Sequence, residues 1–377
     1  MRIAISTSVI QRGKTGVAQY VFALVKALLA HADRHEFKLL VLEEDLPLFA
    51  VAASRMQLVP VAEKYRPAAR NIYWHHRVLP GWLRRERIDV LHVPSYRRLI
   101  SGAPCATVAT IHDLAPFHVP GKYDAARMFY GRVVVRYLAR RQDEIIAIST
   151  NTARDIETFF GVPVSRLNLI HNGIDHTRFA PGPAVDAAAR WQLDRPFFLY
   201  VSRLEHPAKN HVRLIEAFSR FKAATGSNWL LAFGGSDWHG AEHIHTAAQR
   251  SAVAKDIRFL GFVDDGSLPD LYRSAGAFAY PSLFEGFGFP PLEAMACGCP
   301  VLCSTCGSLG EIVGDAADTI DPLNVEALSA GLARLATDAG WRDRLRAAGF
   351  RNARRFDWGD NATKVLAVYD RAVAGRR

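Results

Sequence analysis

Short apolar runs alternate with helix-length amphipathic stretches from one end of the chain to the other. In the first half the runs are Arg2–Thr7, Lys38–Leu42, Val90–His92, Thr107–Ile111, Glu144–Ile148 and Asn168–His171. Near-continuous apolar runs with helices between them predict parallel strands covered on both faces. After the first run comes a loop with Gly13 and Gly16, then Val17, Tyr20, Val21, Leu24 and Leu28 at helical spacing. Strand, glycine loop and helix in that order open a Rossmann-like unit, although the glycines do not form G-x-G-x-x-G. Ala180-Pro-Gly-Pro183 and the alanine-rich Ala184–Ala189 then read as a linker. A second series of runs follows at Phe197–Ser202, Trp229–Phe233, Ile257–Leu260, Ala277–Tyr280 and Val301–Cys303. Helical patterns at Val325–Thr337, Trp341–Arg354 and Trp358–Val373 close the chain. The prediction is an α/β protein of two Rossmann-like domains, 1–180 and 190–357, with a terminal helix over 358–377.

Composition narrows the class. The 377 residues exceed what one core usually serves, and 49% are hydrophobic, so the chain is globular. Met1-Arg-Ile-Ala-Ile-Ser lacks the apolar core of a signal peptide, and no apolar run approaches the roughly 20 residues that span a bilayer. Four of the five cysteines crowd into Cys297–Cys306. Cys303 sits in a predicted strand whose alternation turns it from its neighbours, so small buried thiols explain the cluster better than zinc or iron–sulfur. The cysteine usage suits a reducing cytoplasm. The net charge of +10 calls for an anionic partner. Nucleic acid is excluded as that partner, since no RNP-like motif, finger or basic tail occurs.

The densest chemistry lies at Pro281-Ser-Leu-Phe-Glu285-Gly-Phe-Gly-Phe-Pro-Pro-Leu-Glu293. A strand runs into a glycine-rich loop that opens a helix. Glycines let backbone approach a ligand, and a helix N-terminus offers free N–H groups. Two carboxylates, one on the loop and one on the helix, accept hydroxyls of ribose or a hexose. After the strand Phe197–Ser202, the loop cations Arg203 and Lys209 have the reach to clasp a diphosphate. This Glu-x7-Glu spacing, with Arg203, Lys209-Asn210 and Asn172-Gly173, resembles the retaining glycosyltransferases of the GT4 type.

That resemblance implies the GT-B fold, two facing Rossmann-like domains with a catalytic cleft between them and a last helix that crosses back to the first domain. It implies that Arg203 and Lys209 hold the donor diphosphate and stabilise the departing nucleoside diphosphate. It assigns Glu293 to the ribose and Glu285 to the transferred sugar, with the backbone N–H groups of Phe287 and Gly288 nearby. Phe262 and Val263 fall near the base, His112 on the sugar-binding face and Gly16 near phosphate or acceptor. No Asp-x-Asp occurs, so the cation pair replaces the usual metal clasp: no metal and no cofactor are expected beyond the nucleotide-sugar donor. Retention through a covalent intermediate and through same-face attack both stay open.

Thr110-Ile-His-Asp-Leu114 and the motif around Glu285 look most like mannosyltransferases using GDP-mannose. The expected acceptor is a glycan or lipid-linked oligosaccharide in surface polysaccharide synthesis. Two other functions share the features: a nucleotide-sugar epimerase of the same fold, and a non-catalytic nucleotide-sugar or glycan binder. Lys64–Arg87 interleaves six arginines with Tyr73, Trp74 and Trp82, and Arg132, Arg136 and Arg140 form a helical stripe. Together they predict peripheral attachment to an anionic membrane surface, on the cytoplasmic face, with Trp74 or Trp82 entering the headgroups.

Overall fold

The computed structural model describes residues 1–13, 15–118, 128–184 and 186–376. Lys14 of the expected glycine loop, Val185 behind the expected linker and Arg377 at the end of the expected terminal segment lie outside the described residues. The chain divides into two compact units, Met1–Gly173 with Asp357–Arg377, and Ile174–Phe356.

In the first unit seven parallel strands are β1 (Arg2–Ser6), β2 (Glu36–Leu42), β3 (Gln57–Val61), β4 (Val90–Val93), β5 (Ala106–Ile111), β6 (Glu144–Ala147) and β7 (Leu167–Leu169). Their spatial order is β3-β2-β1-β4-β5-β6-β7. Alternation along β1 decides what covers each face. Ile3 and Ile5 pack with Leu24, Val25, Val365 and Tyr369 of two helices, Gly16–Leu28 and Trp358–Ala374. Ala4, on the other face, packs with Trp74, Leu79, Leu83 and Leu91. The last helix is therefore integral to this unit's core. Asp357 starts it by accepting the N–H groups of Gly359 and Asp360, a satisfied N-cap. Truncating a buried contact such as Leu24→Ala would cost about 2–5 kcal/mol.

In the second unit six parallel strands are β8 (Phe197–Val201), β9 (Leu230–Gly234), β10 (Ile257–Gly261), β11 (Ala277–Tyr280), β12 (Val301–Ser304) and β13 (Asp318–Ile320), in the order β10-β9-β8-β11-β12-β13. β9, β11 and β12 are buried along their length, as strands covered on both faces must be. The fold is the expected α/β pair of Rossmann-like sheets.

The structure adds two strands that periodicity missed. β3 carries Pro60 and β13 is three residues long, and both are edge strands, where proline and brevity are tolerated. It also corrects the membrane reading of Lys64–Arg87. Trp74 is 6% exposed within the core, so its indole is not available to a headgroup layer, and Trp82 packs partly buried against the same cluster. Arg70, Arg77, Arg84 and Arg85 do face solvent. No helix among the described residues is long and apolar enough to cross a membrane.

Candidate active site

A doubly wound sheet offers its ligand crevice where the strand order reverses, beyond the carboxyl ends of the strands. In the second unit that point lies between β8 and β11, neighbours from which the chain winds in opposite directions. Lys209 follows β8 and Glu285 follows β11, and their side chains meet there: Nζ donates to Oε1 at 2.5 Å, with 16% and 15% of the two side chains exposed. Tyr280, at the end of β11, donates its hydroxyl to the same oxygen at 2.8 Å. Burial pushes the Glu285 carboxyl up. The Lys209 ammonium, Ser282 and Tyr280 outweigh it and hold the group below the usual carboxylate range. Glu285 is thus an anion held between a cation and two hydroxyls.

The backbone around this pair is fixed from several sides. Asn210 adopts a left-handed conformation (φ 59°) that asparagine tolerates, and its amide donates to the carbonyls of Pro281 and Pro322. Tyr200 donates to the Lys209 carbonyl at 2.6 Å. Ser308 donates to the carbonyls of Glu285 and Phe287. Gly307 (φ +65°) passes so close that an added Cβ would lie 2.5 Å from the Glu285 carbonyl oxygen. Gly288 (φ +116°) caps the helix Phe289–Ala296, and a Cβ there would meet Leu309 at 2.7 Å.

Glu293, in that helix, accepts the Tyr272 hydroxyl at 3.1 Å. Burial raises its carboxyl to about 7, against the opposing pull of Arg178 and Tyr272. The two acids of the motif are therefore poised differently: one ionised and paired, the other near its midpoint at neutral pH. Arg178 was not visible in the sequence as a site residue. Only the fold brings it beside Glu293, with its Nε buried and unbonded among the described residues.

Arg203 is half exposed, lies over the Trp238 ring at 4.7 Å and pairs with Glu205 at 3.4 Å. It shares no bond with Lys209, so the two cations approach a ligand from separate supports. Trp238, 56% exposed, also escaped the sequence reading. Phe262 is 76% exposed just past β10, free to cover a flat base, and Val263 packs under Gly234.

In the first unit His112 follows β5. Its Nε2 lies 3.1 Å from the Pro94 carbonyl, which only accepts, so Nε2 carries the proton and Nδ1 keeps a lone pair with no partner among the described residues. Burial lowers this imidazole to about 4, against the opposing Pro94 carbonyl and Asp113, so it is neutral at pH 7. Tyr20 meets it edge-on at 4.7 Å. Behind it runs a buried chain: Tyr20 to Thr110 at 3.0 Å, Thr110 to His92 at 2.8 Å and His92 to Tyr369 at 2.7 Å. Gly16 begins its helix after the N-cap Thr15, and a Cβ on it would meet nothing within 4 Å, so neither space nor φ demands glycine there.

Cys297, Cys299 and Cys303 are buried, and among the described residues no three His, Cys, Asp or Glu side chains converge as a metal-ligand set. The polar cavity lined by Arg2, Asp33, Glu36, Arg55 and Asp89 opens at the amino ends of β1 and β2, away from the carboxyl ends where ligands bind. Its charges already pair with one another, Arg2 with Glu36 and Arg55 with Asp33.

Comparison with known proteins adds a family. Residues 14–178 match glycosyltransferase family 4, and residues 184–352 match the glycosyl transferases group 1. The O-antigen chain mannosyltransferase B of Escherichia coli is 30% identical over 392 residues, covering 98% of this chain and 99% of that protein. A serotype-specific mannosyltransferase, WbdA of Escherichia coli, is 29% identical over 284 residues, covering 72% of this chain and 34% of that protein. Among solved structures, Anabaena HepE in complex with UDP and glucose superposes with a TM-score of 0.77 at 18% identity, covering 97% of this chain and 98% of that one.

Proposed function

The chain belongs to the GT4-type glycosyltransferases, and from that premise we propose that it moves a mannosyl residue from GDP-mannose to a glycan hydroxyl, with retention at the anomeric carbon. The relatives named as mannosyltransferases support the sugar, and the O-antigen relative supports an acceptor in surface polysaccharide synthesis, free or lipid-linked. The observation that carries the reading is the Lys209–Glu285–Tyr280 array beyond β8 and β11. It sets a cation for the departing diphosphate against an anion for sugar hydroxyls.

In this reading Lys209 and Arg203 offset the charge that grows on the leaving diphosphate, the place where electrostatic help lowers the barrier. Glu285 accepts hydroxyls of the transferred sugar while the N–H groups of Phe287 and Gly288 face it. Glu293 accepts the ribose hydroxyls, and Phe262 and Val263 flank the base. His112, neutral with a free Nδ1, accepts a hydroxyl without adding charge. The two cations supply what a metal supplies elsewhere, so transfer proceeds without one.

Incubation with labelled GDP-mannose and a mannose-ended acceptor, with and without EDTA, tests this. An α-linked product formed equally in both is expected. Loss of activity on chelation, restored by Mn²⁺, would refute metal independence. An inverted product sinks retention, and an epimerised nucleotide sugar without transfer sinks the transferase reading.

We also propose peripheral attachment to anionic membrane, carried by the expected Arg132–Arg136 stripe together with apolar side chains beside it instead of Trp74. Phe129, Val133 and Tyr137 are 64%, 51% and 52% exposed at helical i, i+4 spacing, and Arg132 and Arg136 are exposed between them. Each basic residue near an anionic surface contributes about 1 kcal/mol. Co-sedimentation with anionic but not neutral vesicles, weakened by salt and by Arg132→Glu with Arg136→Glu, is expected. A protein that stays in solution with anionic vesicles at low salt removes the claim.

A further inference from the structure

Arg98 follows β4, and Ser6 and Ser8 lie at and just past the end of β1. These strands are neighbours, and between them the first unit's strand order reverses. This is the second crevice that the topology offers a ligand, and of the residues assigned to phosphate or acceptor only Gly16, which opens the helix after β1, follows a strand that borders it.

The crevice is built from hydrogen bonds that leave donors facing outward. Asn71, fully buried, donates Nδ2 to the Tyr65 carbonyl at 3.0 Å. Its Oδ1 is filled by Arg98 Nε at 2.6 Å and by Ser8 Oγ at 3.2 Å. Its backbone carbonyl accepts Nδ1–H of His75 at 2.8 Å, which fixes the tautomer, so Nε2 accepts the Ser6 hydroxyl at 2.9 Å. Arg98 gives one further bond, from Nη1 to the Arg97 carbonyl at 2.9 Å. Its Nη2 is bonded to nothing among the described residues, and no carboxylate there lies within salt-bridge distance of the guanidinium. Arg66 nearby shows the contrast, held by both Glu63 and Asp45.

A partly buried guanidinium that no described carboxylate neutralises is costly to the free protein, because its lost hydration is not replaced by an opposite charge. Burial lowers its proton affinity, in keeping with that cost. Arginine presents a planar fork that matches an oxyanion. We infer that Arg98, positioned by Asn71 beyond β1 and β4, binds an oxyanion, a phosphate or carboxylate group, carried by the acceptor substrate. That the anion rides on the acceptor rests on the glycosyltransferase reading; that the site binds an oxyanion does not.

The test uses the full chain saturated with GDP, so that any diphosphate site beside Lys209 is filled. Inorganic phosphate, sulfate and acetate are then titrated separately, read by thermal shift, since a ligand that binds only the native state raises Tm. Saturable stabilisation is expected, with phosphate against acetate telling which oxyanion fits. Arg98→Gln should weaken it about tenfold to a hundredfold, the worth of a hydrogen bond to a charged group. Arg98→Lys should retain part of it, and Lys209→Ala should leave it unchanged. A merely structural arginine would lower Tm when removed but would not move the anion titration. The inference is overturned if the wild type shows no saturable effect of any of the three anions, or if folded Arg98→Gln responds like the wild type. Because the wild-type titration is decisive alone, a variant that fails to fold does not shield the idea. GDP binding without phosphate binding refutes this inference only; phosphate binding without GDP binding refutes the donor reading only.

Discussion

The two sheets reverse their strand order at matching points, β1/β4 in one unit and β8/β11 in the other, and load them differently. Beyond β8 and β11 the cation Lys209 already touches its anion Glu285. Beyond β1 and β4 the cation Arg98, among the described residues, donates only to an amide oxygen and a backbone carbonyl. The first arrangement is stable without a ligand, and a ligand has to share the pair. The second carries a charge that no described carboxylate neutralises, which leaves it open to an anionic ligand. Equivalent topology thus offers matching crevices, and the choice of counter-charge sets how strongly each would depend on a ligand.

The largest effect that tests this contrast is Lys209→Ala. Turnover should fall about 100- to 1000-fold, the usual cost of about 3 kcal/mol for losing one charge-stabilising donor. Tm should fall too, because Glu285 is left largely buried without its cation. Adding Glu285→Gln should recover much of the stability and none of the turnover. Arg98→Gln, by contrast, leaves no orphaned carboxylate and should cost little stability. Steady-state rates and melting curves of the three variants and the wild type decide it. A folded Lys209→Ala enzyme at wild-type turnover would break the diphosphate assignment.

Much of the second unit's candidate site was legible in the sequence because the residues proposed to meet the ligand lie close together along the chain. Glu285, Gly288 and Glu293 share one strand–loop–helix segment, and Lys209-Asn210 sits directly after a strand. Local spacing carries such information. Arg178 and Trp238 were not legible, since only tertiary packing brings one beside Glu293 and the other under Arg203. The same holds for the first unit: Asn71 and His75 share one helical stretch, but Ser6 and Arg98 reach them from separate segments through hydrogen bonds that no periodicity encodes. Trp74 failed for a different reason. Basic–aromatic interleaving describes a membrane face and a core helix with a solvated edge equally well, and burial chose the latter.

Acid should separate the units next. Burial lowers His75 and His92 to about 3 and His112 to about 4, all in the first unit. In the second unit burial lowers His211 to about 3, while it raises Glu293 to about 7. A histidine kept neutral in the fold gains its proton near pH 6.5 once unfolded. Its stabilising contribution is complete above that pH and is lost as pH falls toward the folded value, at about 1.4 kcal/mol per unit of difference. Glu293 works in the opposite sense, since protonating it favours the fold as pH falls through 7. Amide exchange at pH 7 and pH 5 should therefore show residues 1–173 and 357–376 losing protection before 174–356. Equal loss in both, or earlier loss in the second unit, would break the comparison.

The smallest expected effect sharpens the difference between the two acids of the motif. Glu285 is held ionised by Lys209, so its charge is constant across neutral pH, whereas Glu293 titrates near 7. A carboxylate accepts two hydroxyls, while a carboxylic acid must turn one oxygen into a donor. Affinity for a nucleotide sugar should therefore rise from pH 6 to pH 8 and level off. The change per pH unit is at most about tenfold, the limit for one proton. A nucleotide sugar is the right probe because its diphosphate is esterified at both ends and does not itself titrate in this range. Glu293→Gln should flatten the profile at its low-pH level. Tyr272→Phe removes the hydroxyl that Glu293 accepts at 3.1 Å, and Arg178→Ala removes the nearby cation; each should move the midpoint upward. Calorimetric titration at four pH values measures all of these. A wild-type affinity independent of pH would mean that Glu293 is not the group that meets the ribose, and the eight-residue spacing to Glu285 would then need another ligand.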